Sequence, residues 1–133
     1  MGVMELSRAD VETPISFRSL LAPEQKLKLR TVDVGVGGLR VYSPEPFPVG
    51  ACFRVEFLLP NSPLPLRGEA QVRWCRAEGN GHLLGVAFVD RAERRTGTIA
   101  AYIARSRREA EAAARRPARG WRLRPGWVLS LFK

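Results

Sequence analysis

Between Lys26 and Val89 apolar residues recur at every second position, in short runs broken by glycine and proline. A period of two puts alternate side chains on opposite faces of an extended chain, so this stretch reads as half-buried β-strands and not as helix. In Lys26-Leu27-Lys28-Leu29-Arg30-Thr31-Val32-Asp33-Val34, leucines and Val32 alternate with basic or polar neighbours, and Leu39-Arg40-Val41-Tyr42 resumes the rhythm. Phe53, Val55 and Phe57 share one side of Ala51–Leu59, and Ala70, Val72 and Trp74 share one side of the run from Leu64 to Arg76. His82 to Val89 is the return strand, and a partly alternating Ile15–Leu21 precedes them all.

The breaks between the runs carry turn chemistry. Pro23-Glu24-Gln25 is a turn, Gly35-Val36-Gly37-Gly38 offers positive-φ positions for a tight reversal, and Glu78-Gly79-Asn80-Gly81 suits a hairpin. Pro44, Pro46 and Pro48, closed by Gly50, mark an irregular connection. Six strands with short connections predict a mainly β fold, a closed or nearly closed antiparallel barrel.

At Asp90 the period changes. Asp90 followed by Glu93 has the spacing of a helix cap, Ile99, Tyr102 and Ile103 recur at helical spacing, and Pro117 ends the segment. Ile99, Tyr102 and Ile103 are the expected barrel-covering face, while Glu109 and Glu111 lie among arginines on a solvated one. Trp74 is expected to fill the core. The predicted organisation is a barrel domain over residues 1–104, including the start of the C-terminal helix, and a basic helix end with an aromatic and apolar tail over residues 105–133.

Charge follows that division. The net charge is +9, and the last 29 residues hold nine Lys or Arg against two Glu, so +7 of it belongs to the tail. In the tail Arg119, Trp121, Arg122, Arg124 and Trp127 interleave basic and aromatic residues, a combination favoured at protein interfaces and also suited to stacking on nucleotides. They are the expected partner-binding residues. Nucleic-acid binding through this tail is disfavoured because the main body is nearly neutral.

Several function classes have little support. Cys52 and Cys75 stand apart from each other and from His82, the single histidine, so a metal site lacks ligands and buried free thiols are expected. His82 has no evident nucleophile beside it, so no catalytic residue and no cofactor are assigned. No run approaches a membrane span, and the N-terminus lacks a basic segment followed by an apolar one, which predicts a cytoplasmic protein.

Three segments together resemble the PilZ family: Asp33-x-Gly35-x-Gly37-Gly38-Leu39, then Gly68-x-Ala70-x-Val72-x-Trp74, then Leu84-Gly85-Val86-Ala87-Phe88 followed by a helix. The resemblance spans roughly residues 8–104. It implies a six-stranded PilZ-like barrel and a bacterial signalling role in motility, surface behaviour or exopolysaccharide production. It also implies cyclic di-GMP as a regulatory ligand, held by an N-terminal Arg-x-x-x-Arg and an Asp/Asn-x-Ser-x-x-Gly motif. Carried over by position, the ligand residues here are Arg8, Asp33, Gly35 and Gly38. Gly35 stands where the family has serine, and the residues four places either side of Arg8 are Met4 and Glu12, so no arginine pair exists. Each lost charge-assisted contact removes about 1.5–3 kcal/mol. The resemblance therefore implies a protein-contacting adaptor with weak or no cyclic di-GMP binding. The alternative is a receptor in which Arg115, Arg116 or Arg119 of the tail replaces the missing arginines. For Arg8 the plainer reading is a charged residue near a frayed terminus, and for Asp33 with its glycines it is a hairpin whose geometry demands glycine.

Overall fold

The computed structural model describes residues 8–115. In chain order it contains β1 (Arg8–Ser19), β2 (Lys26–Gly35), β3 (Gly38–Ser43), β4 (Cys52–Phe57), β5 (Leu66–Glu78), β6 (Gly81–Phe88) and α1 (Glu93–Ala114). The strands form a closed barrel in the order β1-β2-β3-β6-β5-β4, and antiparallel pairing of β1 with β4 closes it. Closure pairs Ile15–Ser19 of β1 with Phe53–Phe57 of β4, so among the described residues that stretch of β1 offers no open edge to another chain.

The alternation read from the sequence is the alternation that fills the barrel. Ile15, Phe17, Val34, Leu39, Val41, Val55, Phe57, Leu66, Ala70, Leu84 and Val86 point inward and are buried. Each of these side chains larger than alanine contributes roughly 1.5–3 kcal/mol on leaving water. Phe17, Phe47 and Phe53 pack as a cluster under the β1–β2 hairpin, with ring centroids 5.2–5.9 Å apart. Ile99 and Ile103 of α1 are buried against the barrel, and half-buried Tyr102 packs beside them and donates its hydroxyl to the Asp10 carbonyl at 3.0 Å.

Five local expectations are corrected. First, β1 starts at Arg8, well before Ile15; its early half inserts only small Ala9, Val11 and Thr13 into the interior, which hides the alternation. Second, the Gly35–Gly38 reversal uses no positive-φ glycine: the positive values fall at Gly50 (97°), Gly79 (59°) and Asn61 (65°). Gly38 is needed for space instead, since a Cβ there would overlap the Val86 carbonyl oxygen of β6. Third, Asp90 does not cap α1. The N-cap is Ala92 without a side-chain bond, while Asp90 accepts from the Glu69 amide and from Arg95. Fourth, Cys52 and Cys75 are half-buried. Fifth, the alternation of β2 does not run on regularly through Val32: Thr31 and Val34 are fully buried while Val32 is only half-buried, because the register of β2 shifts between Thr31 and Asp33. The expected helix end at Pro117 lies outside the described residues.

Arg95 is the least expected part of the fold. It is only 4% exposed, donating to the Arg67 and Asp90 carbonyls and the Asp90 carboxylate, with its guanidinium 4.1 Å from the Phe88 ring centroid. Gly68 leaves the room it occupies, because a Cβ there would meet Nη1. One side chain thereby ties the start of α1 to β5 and the end of β6.

Candidate functional site

The two-residue reversal Val36-Gly37 fixes the β2–β3 register: Gly35 faces Gly38 and Asp33 faces Arg40. Extending the pairings outward places Asp10, Asp33, Arg40, Gly85 and Trp74 in one row across β1, β2, β3, β6 and β5. The register shifts of β1, β2 and β5 all border this row. Bulges of this kind bend a strand and re-aim its side chains.

Two arginines converge on Asp33. Nε and Nη2 of Arg8 donate to Oδ1 at 3.2 and 2.6 Å, and Nε of Arg40 donates to Oδ2 at 2.8 Å, joined by its Nη2. Asp33 is only 3% exposed, whereas both arginine side chains keep about a third of their surface in solvent. Burial pushes the Asp33 carboxyl up, but the hydrogen bonds from Arg40 and then Arg8, with their positive charges, outweigh it and hold it below the usual carboxylate range. The same contact with Asp33 raises Arg40 against the opposing effect of its own burial. Arg8 is therefore an ordered ion-pair partner at the start of β1, not a residue of a frayed end.

Trp74 departs from its expected place in the core. Val72 pairs with Val86 and Trp74 with Gly85, so β5 holds one extra residue between them. Arg73 and Trp74 both emerge on the outer face, and Trp74 is 37% exposed. Its indole lies over Gly85, where any Cβ would overlap the ring, and the Arg76 guanidinium sits 5.3 Å from the ring centroid.

These residues line an open groove of about 560 Å³, bounded by Arg8, Gly38, Arg40, Arg73, Trp74 and Gly85. Its walls combine three guanidinium groups with an aromatic shelf and closely approachable backbone, a chemistry that suits a planar anion. Of the residues named from the sequence, Arg8, Asp33, Gly35 and Gly38 come together here: Gly35 pairs with both Arg8 and Gly38, and Asp33 lies under Arg8. Arg40, Arg73 and Trp74 belong to the same groove and were missed. Arg40 was reachable, since a two-residue turn between Gly35 and Gly38 sets it opposite Asp33. Trp74 and Arg73 were not, because strict alternation has no sign for the bulge. Arg115 is the exposed C-cap of α1 and is not among the groove's lining residues. The tail residues Arg116, Arg119, Trp121, Arg122, Arg124 and Trp127 lie outside the described residues.

Among the described residues no group of three or more His, Cys, Asp or Glu is placed to hold a metal ion, and no helix is long and apolar enough to cross a membrane. His82 lies in β6, in the return strand expected from the sequence.

The chain was compared with known proteins. No curated protein matches it significantly in sequence. Among solved structures it is similar to the Bacillus subtilis inhibitor of motility, MotI, at 18% identity and a TM-score of 0.64, over 83% of this chain and 52% of that one. The chain thus spans about half of that protein's length. It is similar to the PilZ domain of Escherichia coli YcgR, solved with cyclic di-GMP, at 17% identity and a TM-score of 0.62, over 83% of this chain and 95% of that one. A tetrameric PilZ protein from Xanthomonas campestris matches at 24% identity and a TM-score of 0.52, over 67% of this chain and 50% of that one. These likenesses establish the fold, a six-stranded antiparallel barrel followed by one helix. The family model for the PilZ domain matches residues 7–105, and with that match the chain belongs to the PilZ domain family.

Proposed function

We propose that this PilZ domain is a bacterial signalling adaptor in the control of motility or surface behaviour, not an enzyme, acting through protein contacts and holding cyclic di-GMP weakly. The observation that carries this reading is the state of Asp33. Both of its oxygens are taken by side-on forks from Arg8 and Arg40. A dinucleotide seeking those arginines must displace an internal, buried anion, and the exchange of one charge-assisted contact for another yields little net affinity. Gly35 in place of a serine withholds a hydroxyl, and Met4 in place of an arginine withholds a fork. Two missing contacts of about 1.5–3 kcal/mol each correspond to two or more decades in dissociation constant. The neighbours support the setting: one is named as an inhibitor of motility and another was solved with cyclic di-GMP. The proposed partner-facing residues remain Arg119, Trp121, Arg122, Arg124 and Trp127, and the proposed compartment is the cytoplasm.

Isothermal titration of the full chain with cyclic di-GMP tests the reading. Binding is expected to be at least two decades weaker than for a PilZ domain with both motifs complete, measured alongside. Restoring the motifs with Met4→Arg and Gly35→Ser is expected to tighten it at least about tenfold. Tight binding by the unaltered chain overturns the proposal.

A second reading has a specific observation behind it. Arg40 and Arg73 already line the groove beside Trp74, so they, rather than the tail arginines, are the better replacements if the chain is a true receptor. In that case the unaltered chain binds tightly and Arg40→Ala abolishes binding.

A further inference from the structure

The β1–β2 hairpin carries an apolar apex that the barrel does not use. Leu21 is 98% exposed, and Leu20 and Leu27 beside it are 41% and 46% exposed. This is not slack chain. The Ser19 hydroxyl accepts from the Leu21 and Ala22 amides at 3.2 and 3.3 Å, the Gln25 amide donates to the Ala22 carbonyl at 2.9 Å, and Arg18 donates to the Pro23 carbonyl. The Phe17–Phe47–Phe53 cluster anchors the base of the hairpin. The turn that carries Leu20 and Leu21 is held by its own bonding, so their exposure is built in.

Below the apex the charges are arranged unfavourably for an isolated domain. Arg18 faces Lys26 on β2 and Arg54 on β4, so three cations occupy one row across β2, β1 and β4. Like charges directly opposite each other destabilise a sheet. The anion paired with this row is Glu69, 3.5 Å from Arg54, and between residues 18 and 28 Glu24 is the single acid against Arg18, Lys26 and Lys28. A convex apolar tip collared by cations is complementary to an anionic bilayer surface: leucines enter the acyl boundary while the lysines and arginine meet the headgroups.

We infer that the Leu20–Leu21–Leu27 apex and its Lys26–Arg18–Arg54 collar dock the domain on the surface of an anionic membrane. One such tip gives reversible attachment, since stable anchoring needs a second element.

The test is co-sedimentation of the full chain with vesicles of phosphatidylcholine alone and of phosphatidylcholine with phosphatidylserine in equal parts. The unaltered chain is expected to pellet with the anionic vesicles and not the neutral ones. Leu21→Glu, and separately the pair Lys26→Glu and Lys28→Glu, is expected to lower the partition coefficient at least about tenfold with an unchanged melting temperature. Leu21→Trp is expected to retain it. Failure of the unaltered chain to pellet with anionic vesicles, equal pelleting with neutral ones, or equal pelleting of the charge-reversed chains overturns the inference.

Discussion

Asp33 is a structural anchor, tying the start of β1 to β2 and β3 through both of its carboxylate oxygens. Its depressed pKa means that the folded state binds the proton less readily than the unfolded chain does. Its contribution to stability is complete above the ordinary carboxylate pKa of about 3.9. That contribution is lost as pH falls through the lower folded-state value. Asp33→Ala is expected to cost about 1–3 kcal/mol at neutral pH, less than breaking a fully buried ion pair because both arginines reach solvent. Urea unfolding of both chains at several pH values checks this. The difference should be constant near neutrality and shrink below about pH 4; a difference that grows on acidification contradicts the assignment. The aspartate and its glycines were visible in the sequence as a motif. The second fork was not, although the turn length alone pairs Arg40 with Asp33.

Among the elements, α1 gives the sharpest contrast between reading and result. Its apolar spacing identified Ile99, Tyr102 and Ile103 as the covering face, and the two isoleucines are buried. Its beginning was misread because Asp90 and Glu93 imitate a capping pair, while the true attachment is a buried arginine, a residue type that sequence patterns assign to the surface. Arg95 satisfies two backbone carbonyls and shields Phe88, so Arg95→Ala leaves those carbonyls unpaired and opens a void beside Gly68. A loss of about 2–4 kcal/mol is expected from thermal or denaturant unfolding. A loss below about 0.5 kcal/mol would mean that α1 is held by its isoleucines alone. The strands were legible to within a few residues wherever large apolar side chains alternate, and illegible where, as in early β1, the inward residues are small.

For the molecule as a whole, six strands, a closed or nearly closed antiparallel barrel and a following helix could be read from the chain, but which strands close it could not, because pairing of β1 with β4 joins residues far apart in sequence. Nor could the outer face be mapped, since it depends on where the strict alternation breaks. The break in β5 has a consequence for how the surface can change. A regular strand allows one outward side chain at each step of the ladder; at Gly85 the barrel displays two, Arg73 and Trp74, side by side. Removing Arg73 outright would leave Val72 facing in, Trp74 facing out and Cys75 facing in, so the interior would keep every occupant. The deletion is therefore expected to preserve the far-ultraviolet circular dichroism spectrum at a cost of about 1–2 kcal/mol. A chain that fails to fold, or whose Trp74 becomes buried, would show that the interior had shifted. At this row the wall carries a spare letter: it can be rewritten or struck out on the solvent side without the interior having to be respelled.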